Sequence, residues 1–279
     1  MSVREIKKVI TGTTQFDGAG VKLVRVIGYP NVKDFDPFLM LDAFDSRDSK
    51  DYIKGFPWHP HRGIETVTYL LKGEIEHGDS LGNHGRIEDG GCQWMTAGKA
   101  IMHQEMPQPS EHLLGIQLWL NLPRKDKLVP PKYRDLREEM IPKCTEEGSH
   151  VAVISGAYKG IQGPTRGDYV KALFLDVELD CNATWNIHTE PEETVFLYIV
   201  EGEGLFGGAD TQQISSKKAI LFEQGDQLVV STTESKCRFF LFSGLPLREP
   251  IAWGGPIVMN TGEELEKAFR EIRAGTFGK

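Results

Sequence analysis

No apolar run of 18 residues occurs anywhere in the 279-residue chain, and a membrane-spanning helix needs about 20. The opening residues, Met1-Ser2-Val3-Arg4-Glu5, carry no apolar core of the kind a signal peptide requires. A cytoplasmic protein without membrane contact is therefore expected, with the nucleus a second address in a eukaryotic source. Cysteine is scarce. Cys92, Cys144, Cys181 and Cys237 are scattered with no CxxC pair, which excludes a zinc knuckle and a disulfide framework and fits a reducing compartment. Positive charge is short as well: 32 Lys and Arg against 40 Asp and Glu leave a formal net charge of -8, and direct binding to nucleic-acid phosphates takes clustered cations. The charged run Arg124 to Lys127 reads as a solvated loop face rather than a nuclear-import signal. A phosphate-binding P-loop and a Gly-rich βαβ turn are missing, which removes nucleotide-binding readings, and the GxSxG match at Gly78 to Gly82 falls in a turn after an expected strand rather than in the strand-to-helix setting a nucleophile elbow needs.

What is present is punctuation. Thirty glycines and fifteen prolines separate short segments rich in β-branched and aromatic residues, a pattern of an all-β sandwich or barrel. Strands are expected at Thr66 to Leu71, Glu74 to His77, Gly91 to Met95, Ala100 to Glu105 and Gly115 to Leu120. A second series runs through Val151 to Ser155, Tyr169 to Leu179, Thr194 to Val200, Ala219 to Phe222, Gln227 to Val230 and Arg238 to Phe242. Between the series, the polar stretch Pro123 to Cys144 contains Pro123, Pro130, Pro131 and Pro142 and reads as a linker. The length suits two domains, and the cut is placed at 130/131. Near the end, Thr261 with Glu264 forms a capping box, and Leu265, Phe269 and Ile272 recur at helical spacing. This short C-terminal α-helix reads as a cover for a sheet edge with no part in chemistry.

The chemistry lies in two short runs. In Phe56-Pro57-Trp58-His59-Pro60-His61, histidines two apart on an extended chain point the same way. The run Ile101-Met102-His103-Gln104-Glu105 repeats the device with an imidazole and a carboxylate. If the two strands adjoin, His59, His61, His103 and Glu105 supply three nitrogens and one oxygen, leaving exchangeable positions on an octahedron. Such a thiolate-free set suits Fe(II), Mn(II), Ni(II) or Cu(II), with Zn(II) less favoured because structural zinc collects cysteines. Among the other histidines, His84, His112 and His150 read as surface residues. His77 reads as a residue behind the ligands. Glu65 shares parity with His59 and His61, so its carboxylate is expected to point the same way and to act as a base or hydrogen-bond acceptor.

The segments HPHRGIETVTYLLKGEIEHGDSLGN at His59 to Asn83, MTAGKAIMHQEMP at Met95 to Pro107, and GGPIVMNT at Gly254 to Thr261 resemble the pirin family of the cupin superfamily. That resemblance spans nearly the whole chain. It implies two packed cupin barrels, residues 1–130 forming a metal-binding one and residues 131–279 a metal-free one that carries the helix. It also implies a non-haem iron held by His59, His61, His103 and Glu105, with Glu105 ranked above Glu65. In the second half, the His188-Thr189-Glu190 echo lacks a second imidazole, and no further metal site is expected there. The function implied is Fe(II)-dependent dioxygenase cleavage of flavonols such as quercetin, with Glu105 loosening from the metal to take the substrate proton. Trp58, Phe56 and Met106 are expected to line the approach. The alternative is a redox-sensing regulatory protein that docks a protein partner without turnover. A monomer is the expected state.

Overall fold

The computed structural model describes residues 2–278. Strands dominate, a single helix longer than one turn lies near the C-terminus, and no sheet closes into a continuous barrel among the described residues. No helix is long and apolar enough to cross a membrane among those residues. The four cysteines are free.

The chain divides into two compact units, each assembled from separated segments. One unit comprises Thr13–Val32, Phe38–Glu138 and Leu247–Lys279; the other comprises Met1–Gly12, Lys33–Pro37 and Glu139–Pro246. A single cut at 130/131 therefore does not describe the division, and the C-terminal helix belongs with the first unit rather than the second. Strand pairing is the physical reason. Ile6–Thr11 adds to Lys218–Phe222, with Val9 opposite Ile220, while Ile257 bridges to Arg62 near the other end of the sequence. The expected linker is also largely built structure. Lys132–Leu136 pairs with Cys92–Thr96, Tyr133 lying opposite Met95, and Lys143–Glu146 pairs with Ser149–Ser155. Both are edge strands, so one side of each ladder meets no partner and the apolar alternation that marks a buried strand is weak.

In the first unit, a seven-stranded antiparallel sheet runs in the order Lys132–Leu136, Cys92–Thr96, Ile64–Lys72, Leu113–Asn121, Phe38–Ser46, Val21–Ile27, Thr13–Asp17. A second sheet orders Phe56–His61, Ile101–Pro107, Ile75–Asp79 and His84–Ile87. Leu113–Asn121 is buried along its whole length, which is why it reads as a continuous apolar run. Ile101–Pro107 alternates, with Ile101, His103, Glu105 and Pro107 turned inward. That period of two carries the two polar side chains into the interior.

The other unit holds a ten-stranded sheet around a core that includes Val151, Leu175, Val177, Leu179, Leu197 and Leu241. Leu175, Val177 and Leu179 fall on one face as the alternation predicts. Phe174 and Asp176 on the alternate positions are buried too. Asp176 tolerates this because the Arg238 guanidinium grips it with two bonds, at 2.9 and 2.7 Å. In the first unit, the helix Gly262–Arg273 starts at its expected cap: Glu264 N donates to Thr261 Oγ1 at 3.2 Å, and Thr261 N donates to Glu264 Oε2 at 3.0 Å. Leu265, Phe269 and Ile272 pack on Ile257, Met259 and Ala268.

Candidate metal centre

Two paired strands bring the sequence-predicted histidines together. Phe56–His61 and Ile101–Pro107 run antiparallel with His103 opposite His59 and Ile101 opposite His61, and residues opposite one another share a face. The ring centroids of His59 and His103 lie 4.3 Å apart, those of His59 and His61 4.8 Å, and those of His61 and His103 5.0 Å. Candidate ligand nitrogens of all three fall within 4.8 Å of one another.

The donor set fits a divalent transition metal on two counts. His59 Nδ1 sits 2.9 Å from the Pro57 carbonyl and His61 Nδ1 sits 3.1 Å from the Pro256 carbonyl. A carbonyl only accepts, so each ring carries a hydrogen on Nδ1 and, when neutral, presents a bare lone pair at Nε2. Those two Nε2 atoms face each other at 3.1 Å. Two lone pairs so placed repel unless a cation lies between them. Neighbouring octahedral positions about 2.1 Å from an ion stand about 3 Å apart. Second, His103 is fully buried with neither ring nitrogen hydrogen-bonded, a costly state that one coordinate bond relieves. Burial, followed by the nearby His59, pushes His61 down to about 3. Burial, followed by His61, holds His103 well below the usual imidazole range. Both rings are therefore neutral near pH 7, as ligation requires.

Glu105 stands outside the group of nitrogens that fall within 4.8 Å of one another. The register between the two strands slips between His103 and Glu105, and each carboxylate oxygen accepts one hydrogen bond while keeping a lone pair free for a cation. Thr68 Oγ1 donates to Oε1 at 3.0 Å and Gln117 Nε2 donates to Oε2 at 2.8 Å. Behind it, His77 lies opposite Glu105 on the next strand. The His77 ring stands 5.4 Å from that of His103 and stacks on Tyr133 at 4.5 Å. Burial lowers its pKa, against the raising effect of the Glu105 charge.

Glu65 is buried and accepts a hydrogen bond, though the parity count is not what places it. Gly63, at a φ of 77°, turns the chain between His61 and Ile64, and Ile64–Lys72 continues in the other sheet. Parity counted across that turn carries no meaning. Glu65 accepts from Thr96 Oγ1 at 2.6 Å. In the other unit, His188 is exposed at the end of Thr184–His188, and no second group of metal-capable side chains occurs among the described residues.

A cavity of about 670 Å³ opens onto His59 and His61, a size that suits a small organic ligand. One wall is aromatic: Trp119 lies edge-on to His61 at 5.0 Å, Trp253 follows at 5.7 Å and Tyr29 at 5.9 Å. Phe56 lines the cavity as expected, but Trp58 and Met106 do not. Trp58 is half exposed. The polar side of the cavity follows the sheet register. Thr68, Gln117, Asp42 and Arg25 stand opposite one another across four neighbouring strands, an unbroken polar row through an apolar sheet. Arg25 grips Asp42 at 2.9 and 2.7 Å and reaches Asp17 at 2.9 Å. Sequence reasoning missed Thr68, Gln117, Trp119 and Trp253. The readable signal was a lone amide in the apolar run Leu113 to Leu120, where packing alone calls for none.

The pirin family profile matches residues 20–120, and the profile of the pirin C-terminal cupin domain matches residues 174–278. A pirin-like protein of Caulobacter vibrioides is 41% identical over 280 residues, spanning 99% of this chain and 100% of the relative. Pirin of Homo sapiens is 40% identical, spanning 98% and 93%. Among solved structures, a quercetin 2,3-dioxygenase from Acinetobacter baumannii matches with a TM-score of 0.89 at 30% identity, covering 100% of this chain and 99% of that one.

Proposed function

The chain belongs to the pirin family, and from that premise we propose that it is an Fe(II)-dependent dioxygenase cleaving flavonols such as quercetin, with His59, His61, His103 and Glu105 as the metal's ligands. When bound, the metal supplies Lewis acidity toward an enolic oxygen and redox reach toward dioxygen. The observation that carries the reading is the pair of Nε2 lone pairs opposed at 3.1 Å on the cavity wall. Glu105 takes the proton of the flavonol hydroxyl, and its two neutral donors, Thr68 and Gln117, orient it without cancelling its charge. Trp119 and Trp253 offer a flat apolar surface along which an aromatic substrate aligns. The name of the Acinetobacter baumannii neighbour points to the same substrate class.

The test is anaerobic loading with Fe(II), addition of quercetin, and admission of air while flavonol absorbance is followed. Wild type consumes the flavonol only with both iron and dioxygen; His59→Ala and Glu105→Ala do not. Undiminished activity in either variant removes the assigned role. Stoichiometric iron without consumption of any flavonol overturns the enzyme reading in favour of a redox-sensing binding protein.

A further inference from the structure

Apart from Trp253, the segment after residue 250 and the helix that follows have no stated part in the proposed reaction, yet their contacts converge beside one proposed ligand. The Pro256 carbonyl is the acceptor for His61 Nδ1. Two residues on, Val258 N donates to the Arg62 carbonyl at 3.1 Å. The Lys127 ammonium is buried with three hydrogens and three acceptors: the Gly63 carbonyl at 2.8 Å, the Val258 carbonyl at 2.9 Å, and Asn121 Oδ1. Arg62 is buried as well; it donates to Glu271 Oε2 at 2.6 Å and to the Lys99 carbonyl, and lies 4.4 Å from the centre of the Phe277 ring. At Gly63 a Cβ would fall 2.0 Å from the Val258 carbonyl oxygen, so the two backbones touch where any other residue would part them.

We propose that residues 256–271 form a strap that positions His61 for the metal, with Lys127 and the Arg62–Glu271 ion pair as its two fasteners. This rests on the reading of His61 as a ligand. An imidazole has one hydrogen to place, and the Pro256 carbonyl draws it to Nδ1, leaving Nε2 for the ion. His59 finds the same service in Pro57, two residues away on its own strand. His61 obtains it only from across the fold, and the acceptor is a backbone carbonyl that no side chain of its own anchors. Lys127 ties the strap at Val258, on one side of Pro256. Glu271 ties it through the helix, whose Leu265 and Phe269 pack on Ile257 and Met259. Lys127 and Glu271 are positioning residues: neither reaches the metal.

The experiment uses the full-length metal-free protein, titrated with Co(II) alone, with ¹⁵N-histidine spectra recorded beforehand. Glu271 is partly exposed, so Glu271→Gln keeps the fold; Lys127→Met is the second variant and His61→Ala the control. In Glu271→Gln and Lys127→Met, Co(II) binding weakens by about 10-fold, its visible bands shift, and the His61 Nδ1 signal moves away from the protonated value while that of His59 stays. Should both variants melt earlier yet keep wild-type Co(II) affinity, bands and His61 signal, the strap merely closes the fold and the proposal is overturned. Wild-type affinity in His61→Ala would instead remove the ligand reading beneath it.

Discussion

Replacing Lys127 by methionine should abolish a rise in stability between pH 7 and 9. Burial lowers the Lys127 pKa from its ordinary 10.5 to about 7. Between those values the unfolded chain holds a proton that the folded chain does not, so unfolding takes one up and stability climbs with pH. Below about 7 the buried ammonium is charged in both states and its penalty is complete. At about 1.4 kcal/mol per pH unit, the full window from 7 to 10.5 is worth at most about 5 kcal/mol. The three carbonyl acceptors around the ammonium reduce that ceiling by favouring the charged form. From pH 7 to 9 the expected gain is about 2 kcal/mol. The assay is urea unfolding of metal-free protein, followed by tryptophan fluorescence. Trp58, Trp94, Trp119 and Trp253 lie in the unit that contains Lys127, and Trp185 lies in the other. Wild type should gain that increment relative to Lys127→Met. Parallel pH profiles for the two proteins would refute the reasoning.

His103→Ala removes the buried ring that no hydrogen bond satisfies, and metal content after iron loading, read by elemental analysis, should fall to background. Gly63→Ala forces a Cβ against the Val258 carbonyl at a φ of 77°; a loss of more than about 2 kcal/mol by urea unfolding is expected. Trp253→Ala strips the outer part of the aromatic wall and should weaken flavonol binding by about 10-fold, from roughly 1.5 kcal/mol of ring contact. Anaerobic titration with quercetin reads this directly, and an unchanged dissociation constant would place the ligand elsewhere.

The metal-ligand histidines were legible because strand alternation is a local rule: two residues apart means one face, wherever the strand lies. Each pair could therefore be read without knowing the fold, and the antiparallel register of His59 with His103 joined them. The capping box at Thr261 was legible for the same reason. Glu105 shows the limit of the rule. It lies on the inward face as expected, but a register slip and two donors on the opposite sheet set where its oxygens point, and neither is encoded in its own strand. Glu65 is the buried acceptor expected, but a single positive-φ glycine resets the count, so parity with the histidines is not its cause. The strands Ile6–Thr11 and Thr13–Asp17 went unread because their side chains are largely exposed, and an exposed ladder carries no apolar pattern. Trp253 and Pro256 were out of reach altogether, since their meaning comes from partners more than a hundred residues away in the chain.

The 195-residue gap between His61 and its carbonyl acceptor has a consequence for biosynthesis. At about 5–20 residues per second, a ribosome delivers Pro256 on the order of ten to forty seconds after the histidine it must orient. Throughout that interval the nascent polypeptide displays the HPH signature with one imidazole free to choose either protonation site. An ion captured in that interval would meet a site that still lacks the carbonyl facing His61, and a chain ended before residue 256 would carry the motif with a weaker grip on its cargo. On the strap proposal, full-strength metal binding waits for a late stage of translation.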